Sequence, residues 1–200
     1  WRREWKQGDL PFLFVQLANF YTEKKLPDTS YWAELRESQA AALKLPKTGL
    51  AVAIDIGDPA DIHPANKEEV GRRLALAARK IAYNENIVHS GPQYKRFTKK
   101  GNAITVEFSC FGSALRKTSE TIRGFSIAGA DKVFHWADAK IVNNTVVVSS
   151  IEVNNPVAVR YAWADNPGTL QLFNTSGLPA LPFRTDSWPL STEGKRFQLR

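Results

Sequence analysis

The sequence predicts an α/β fold that gives way to a β-rich second half, on three observations. Up to about residue 87 the chain runs strand, helix, strand, helix, with nearly continuous apolar strands of the kind buried in parallel sheets. From about Ile87 helical periodicity disappears, and short alternating runs separated by turns replace it. With 200 residues and 43% hydrophobic content, the chain can bury a sizeable core without disulfide staples.

The opening Trp1-Arg-Arg-Glu-Trp-Lys reads as the end of an amphipathic helix. It lacks the apolar core and small-residue cleavage site of a signal peptide. There is no methionine, so the chain is expected to be a piece of something longer. Leu10 to Asn19 (LPFLFVQLAN) is expected to be a strand buried on both faces. A polar loop with Pro27 and Asp28 leads to a helix from Ser30 to Leu43. Trp32, Leu35, Gln39, Ala42 and Leu43 recur there at helical spacing, and Pro46 lies just beyond. Leu50 to Ile56 reads as a second buried strand. Asn66 can cap the next helix, with Glu69 at the capping-box position. Val70, Leu74, Ala77 and Ile81 form that helix's apolar face, with Arg72, Arg73, Arg79 and Lys80 largely elsewhere.

A boundary near residue 88 separates an α/β part, 1–87, from a β-rich part, 88–200. In the second part, Lys99-Lys100-Gly101-Asn102 and Asn143-Asn144 read as hairpin turns. Ile122 to Ala128, Val133 to Ala137 and Val157 to Ala164 are further strands. From Gly168 onward, Pro179, Pro182 and Pro189 suggest an extended tail laid over the surface.

Composition excludes several classes. The formal charge is +7, but the basic residues are scattered, with no run of four and no nucleic-acid-binding motif, so solvated surface charge is the reading and nucleic acid is not an expected partner. No stretch approaches the ~20 apolar residues of a membrane span. A single cysteine, Cys110, allows neither an intrachain disulfide nor a cysteine-ligated zinc site.

Chemistry concentrates in Ile54-Asp-Ile-Gly-Asp-Pro-Ala-Asp-Ile-His63-Pro64, which runs from the carboxyl end of a strand toward a capped helix. Ligand sites of open α/β sheets gather there. It supplies one imidazole with Asp55, Asp58 and Asp61 nearby. A serine-type hydrolase needs such a pairing, because the imidazole takes the hydroxyl proton and a carboxylate fixes its tautomer. A plain reading stands beside this: Asp58-Pro59 forms a turn, Asp61 caps local backbone, and His63 is a loop histidine. A hard-metal site of His63 and the aspartates is a third, without diagnostic spacing. His89 reads as a loop or edge residue and His135 as a sheet residue. Gln16 and Asn19, at the end of the first strand, either bind a substrate's polar groups or satisfy loop backbone. Tyr31, Trp32, Trp136, Tyr161 and Trp163 read as core. No Gly-x-Ser-x-Gly or similar nucleophile turn is present, and Ser113 reads as a loop serine.

Taken together, PFLFVQLANF, LRESQ, TGLAVAIDIGDPADIHPANKEEVGRRLAL, GFSIAGADKVFHWADAKI, VVVSS, PVAVRYAWADNP and GLPALPFRTD resemble the sialate O-acetylesterase family, within the SGNH-hydrolase superfamily. The resemblance covers most of the chain, in order. It implies the C-terminal part of a flavodoxin-like three-layer α/β/α domain with added β structure. It also implies hydrolysis of acetyl esters on sugars by a Ser-His-Asp mechanism, without metal or cofactor. His63 matches the family's catalytic histidine. The superfamily's usual aspartate position, three residues earlier, is Ala60 here, so Asp61 is the first choice for the acid and Asp58 the second. The family's nucleophile and oxyanion-hole residues lie upstream of the matching stretches. The implied partners are therefore an acetylated carbohydrate and the N-terminal portion of the same enzyme as a separate chain, in the periplasm or secreted. The alternative is a non-catalytic carbohydrate-binding or structural module.

Overall fold

In a computed structural model, which describes residues 1–195, a short helix α1 (Arg2–Trp5) leads into strand β1 (Phe12–Val15). Helix α2 (Tyr31–Ala41) follows, extended by a 3-10 turn to Lys44, then strand β2 (Thr48–Ala51) and helix α3 (Lys67–Ile81). β1 and β2 pair in parallel, Phe12 opposite Thr48 through Val15 opposite Ala51, and α3 packs across both. Close helix–sheet packing depends on Gly49: a Cβ there would stand 2.7 Å from the Leu13 side chain and 3.2 Å from that of Ala77. β2 is buried throughout, as expected, and burial continues through Val52, Ala53 and Ile54 after the ladder ends. β1 is shorter than predicted and is not buried on both faces. Phe12 is exposed and Leu13, Phe14 and Val15 are half-buried, since among the described residues β1 pairs with β2 alone.

The cap expected at Asn66 forms, and Ser30 caps α2. The Ser30 side chain accepts from Ala33 N, and that of Asn66 from Glu69 N. The reciprocal half of the capping box does not form, because the Glu69 carboxylate turns to Arg72 and Arg73 instead. The buried side of α2 is also not the predicted one. Ala33, Glu34 and Arg36 are buried while Leu35 is exposed. Similarly, Arg73 belongs to the buried side of α3.

Ten strands follow: β3 (Gln93–Lys100), β4 (Ala103–Ser109), β5 (Leu115–Lys117), β6 (Phe125–Ala128), β7 (Phe134–Trp136), β8 (Asp138–Val142), β9 (Thr145–Ser149), β10 (Ala158–Tyr161), β11 (Leu172–Asn174) and β12 (Phe183–Arg184). They form antiparallel sheets ordered β3-β4-β9-β8 and β12-β10-β6-β7, and a pair β11-β5. Both predicted hairpins are present. Asn143 and Asn144 both take positive φ, the conformation a tight two-residue turn demands. Inward residues of the sheets (Ile104, Val106, Val146 and Val148 against Phe125, Ile127, Val159 and Tyr161) share one core, which also takes in Leu50, Val52 and Ile54.

The segment after Gly168 is not a surface tail. Leu170, Leu172, Leu178, Ala180, Leu181 and Phe183 are buried, and the Phe183 ring stacks on Tyr94 at 4.8 Å between centroids. Prolines here shape irregular backbone within the core. At the closest approach, a Cβ on Gly91 would lie 1.9 Å from the Pro179 carbonyl oxygen.

Candidate active site

The loop between β2 and α3 is anchored before it reaches His63. Arg73, on the first half of α3, reaches back under it. Its Nη1 donates to Val52 O and Asp55 Oδ1, both at 2.6 Å, and its Nη2 to Asp55 Oδ2 at 2.8 Å. Arg73 Nε also donates to Glu69 at 2.6 Å. Burial works against the Arg73 charge, but its bonds to Asp55 and Glu69 outweigh that and hold the guanidinium ionised. Asp55 is thereby consumed as an anchor. The bonds from Arg72, with help from Arg73, draw the Glu69 carboxyl down to about 2.

That shift has a consequence for acid stability. Glu69 titrates near 2 when folded and near 4.5 when unfolded, so its contribution is complete above about pH 4.5 and fades as pH falls toward 2. Glu69→Gln is expected to flatten the acid limb of the stability curve over that window, read by urea unfolding at stepped pH. An acid limb identical to that of the parent would refute this.

Beyond Asp55 the loop passes Gly57, whose amide donates to Asn19 Oδ1 at 2.7 Å. A Cβ on Gly57 would lie 2.3 Å from Asn19 O, so only glycine fits this crossing of the two loops. Pro59 O accepts from Tyr21 N. Asp58 accepts from Ala60 N at 2.8 Å, making a local turn, and does not meet His63. Asp61 does. Its Oδ1 accepts from His63 N and lies 2.8 Å from His63 Nδ1. The bonds from the His63 amide and ring, together with the charge of Lys67, hold the Asp61 carboxyl below the usual carboxylate range. An ionised carboxylate only accepts, so Nδ1 carries a proton, and in the neutral ring Nε2 is then the acceptor. The His63 side chain is 80% exposed, so the described chain leaves Nε2 open.

The other candidates separate. Asn19 ties the end of β1 to Asn166, through Nδ2 to Oδ1 at 3.3 Å, and lines a cleft of about 580 Å³ with Asp55, Pro59 and Phe173. Gln16 corrects the prediction: it is 1% exposed, its Nε2 donates to Arg36 O at 3.1 Å, and it is part of the packing of α2 against the strand end, where a solvent-borne sugar does not reach. The metal reading finds no support, since Asp55 and Asp58 face other partners; among the described residues no group of three or more His, Cys, Asp or Glu could hold an ion. His89 is half-buried beside Phe111, with Nδ1 unpartnered and its pKa lowered by burial. His135 lies in β7 as expected and pairs with Glu152 at 2.9 Å. Ser113 exchanges a hydrogen bond with Thr175. Tyr161 and Trp163 are core, whereas Tyr31 and Trp136 are exposed, contrary to expectation. Trp32 is half-buried and donates through Nε1 to Ala18 O.

Sequence reasoning missed Arg36 and Asp165. Arg36 is fully buried and donates to the carbonyls of Leu17, Ala18, Ala164 and Asp165, between 2.7 and 3.0 Å. It joins the end of β1 to the loop after β10. Its spacing with Ala33 and Ala40 on one helix face was the available signal.

A histidine–carboxylate pair on the loop beyond the carboxyl end of a parallel strand is the arrangement that α/β hydrolases use. No family model matches the chain. Sialate O-acetylesterase of Mus musculus is 30% identical over 210 residues, 92% of this chain and 38% of that protein. The Homo sapiens counterpart is 29% identical over 212 residues, 92% of this chain and 40% of that protein. A crystal structure of a carbohydrate acetylesterase from Xanthomonas citri superposes with a TM-score of 0.89 at 51% identity, covering 94% of this chain and 44% of that one. The chain is thus homologous to sialate O-acetylesterases over most of its residues, and it spans about two fifths of the length of the curated relatives it matches.

Proposed function

We propose that this chain carries the histidine–aspartate half of a carbohydrate O-acetylesterase of the SGNH type, and that the serine nucleophile and oxyanion donors come from an N-terminal portion of the same enzyme. The observation that carries the reading is the His63 Nδ1–Asp61 contact at 2.8 Å with the ring otherwise open. The outer edge of β1, unpaired among the described residues, supports it. Nearby, Trp1, Trp5 and Phe12 are exposed, with Trp1 against each of the other two, an apolar patch fit for covering by further elements of a three-layer α/β/α domain. The β-rich part is then an accessory region, and acetylated glycans as substrates favour a periplasmic or secreted enzyme.

In the cycle, His63 Nε2 takes the proton from the serine hydroxyl as the serine oxygen bonds to the acetyl carbonyl carbon. The tetrahedral intermediate collapses, the sugar oxygen leaves with the proton from His63, and acetyl-serine remains. Water, deprotonated by the same imidazole, then releases acetate and restores the serine. Asp61 holds the ring in the productive tautomer and stabilises the imidazolium.

The two candidate acids separate in a direct test. Asp61→Asn in the complete enzyme is expected to lower kcat on a chromogenic acetyl ester by about 10²–10⁴-fold, since the amide favours the wrong tautomer. Asp58→Asn is expected to leave kcat within about twofold, its turn to Ala60 being retained by asparagine. Equal losses at both positions, or none at Asp61, would overturn the assignment.

A further inference from the structure

Sheet β12-β10-β6-β7 turns Phe125, Ile127, Val159 and Tyr161 to the core. Its other face carries a row set by the strand register: Arg184 opposite Arg160, Arg160 opposite Ser126, Ser126 opposite Trp136. Ser126 is the small member of that row, and a cavity of about 430 Å³ opens over it, within the usual range of small-molecule sites. Ser126 is 3% exposed and lines the cavity. A ligand's polar group that reaches the Ser126 hydroxyl would hydrogen-bond it in place of water.

The walls fit a ring with one apolar face and a polar rim. Phe134 and Trp188 meet edge to face at 5.7 Å and form an aromatic corner, and Trp163 lies alongside. Arg160 is held rigid. It bonds Asp186 through two nitrogens at 2.9 Å and lies 4.1 Å over the Phe134 ring. Lys132, 5.7 Å over Trp188, is a lining cation without a carboxylate partner among the described residues, whereas Asp28 is already paired with Lys24. Neither His63 nor Asp61 lines this cavity.

We propose that the cavity over Ser126 is a second saccharide-binding site, taking one pyranose ring against the Phe134–Trp188 corner with a ring hydroxyl at Ser126. The choice of a saccharide rests on the carbohydrate-directed reading above, while the cavity, the serine on its floor and its aromatic corner do not. A carboxylate on the sugar would meet Lys132, so acidic and neutral sugars are distinguishable sources of the same chemistry.

The test is ligand-observed NMR and calorimetric titration of the complete enzyme with N-acetylneuraminic acid and, separately, a xylo-oligosaccharide, using the His63→Ala variant to prevent turnover. Binding of either sugar is expected to weaken at least about tenfold in Ser126→Val and in Trp188→Ala. Ser126→Val keeps a strand-compatible side chain, and Trp188→Ala lies outside the core cluster, so near-parental melting temperatures would show both variants folded. An acidic preference that disappears in Lys132→Gln identifies the carboxylated sugar as the source. Absence of binding by both sugars, or binding indifferent to Ser126→Val and Trp188→Ala alike, would overturn the proposal. An enzyme that binds sugar at this cavity but, with His63 present, hydrolyses no acetyl ester would sink the esterase reading and leave the second site standing.

Discussion

His63→Ala in the complete enzyme is expected to lower kcat for acetyl-ester hydrolysis by about 10⁴–10⁶-fold while KM changes little, the pattern of losing an interaction made only in the transition state. Both proton transfers of the proposed cycle pass through this one imidazole, and neither of the other two histidines of this chain is placed to take over. His89 is half-buried, and His135 is engaged with Glu152 at a different sheet. The substitution is expected to leave stability within about 0.5 kcal/mol, because the side chain is 80% exposed and its ring bonds only Asp61. That separation of activity from stability gives the experiment its force. Steady-state kinetics on a chromogenic acetyl ester, with thermal melting of the same preparation, decides it. A folded variant that retains more than a few per cent of parental turnover would remove His63 from the chemistry.

What could be read from the sequence follows the range over which each cause acts. The helix cap at Asn66, the turn at Asn143-Asn144 and the buried run of β2 are set by neighbours within a few positions, and all are present. Asp61 was readable as a partner of His63 for the same reason: two residues apart, the side chain accepts from both the amide and the ring. The misreadings all involve distant partners. Arg73 was placed on the solvent side of α3 because its carboxylate, Asp55, arrives from the other side of a loop. Gln16 was a candidate for substrate because nothing local reveals that α2 covers it. The last segment was read as a surface tail from its prolines, yet its leucines and Phe183 fill space left by strands up to 90 residues earlier, as the stacking of Phe183 on Tyr94 shows. In each case the residue type was compatible with either environment, and tertiary packing made the choice.

Arg36 gives the largest expected effect on stability. A fully buried guanidinium with no carboxylate in contact is costly: burial draws its pKa down to about 9, opposed only by the charge of nearby Asp165. Five-donor geometry explains why arginine is used here. One planar group serves the carbonyls of Leu17, Ala18, Ala164 and Asp165, which a lysine ammonium could not reach together. In Arg36→Met, similar volume remains but the carbonyls of Leu17 and Ala164 lose their donor; Ala18 O keeps the bond from Trp32 Nε1 and Asp165 O that from Phe20 N. The expected loss is about 3–5 kcal/mol, the range for leaving buried polar groups unpaired. It would be read as a fall in the urea midpoint at unchanged slope. Because the same carbonyls fix the chain just before Asn19 and Asn166, the substitution should also loosen the cleft beside the His63 loop and lower activity before global unfolding. A loss below about 1 kcal/mol would mean that the backbone relaxes to find other donors, and the clamp between β1 and the loop after β10 would then be ornamental.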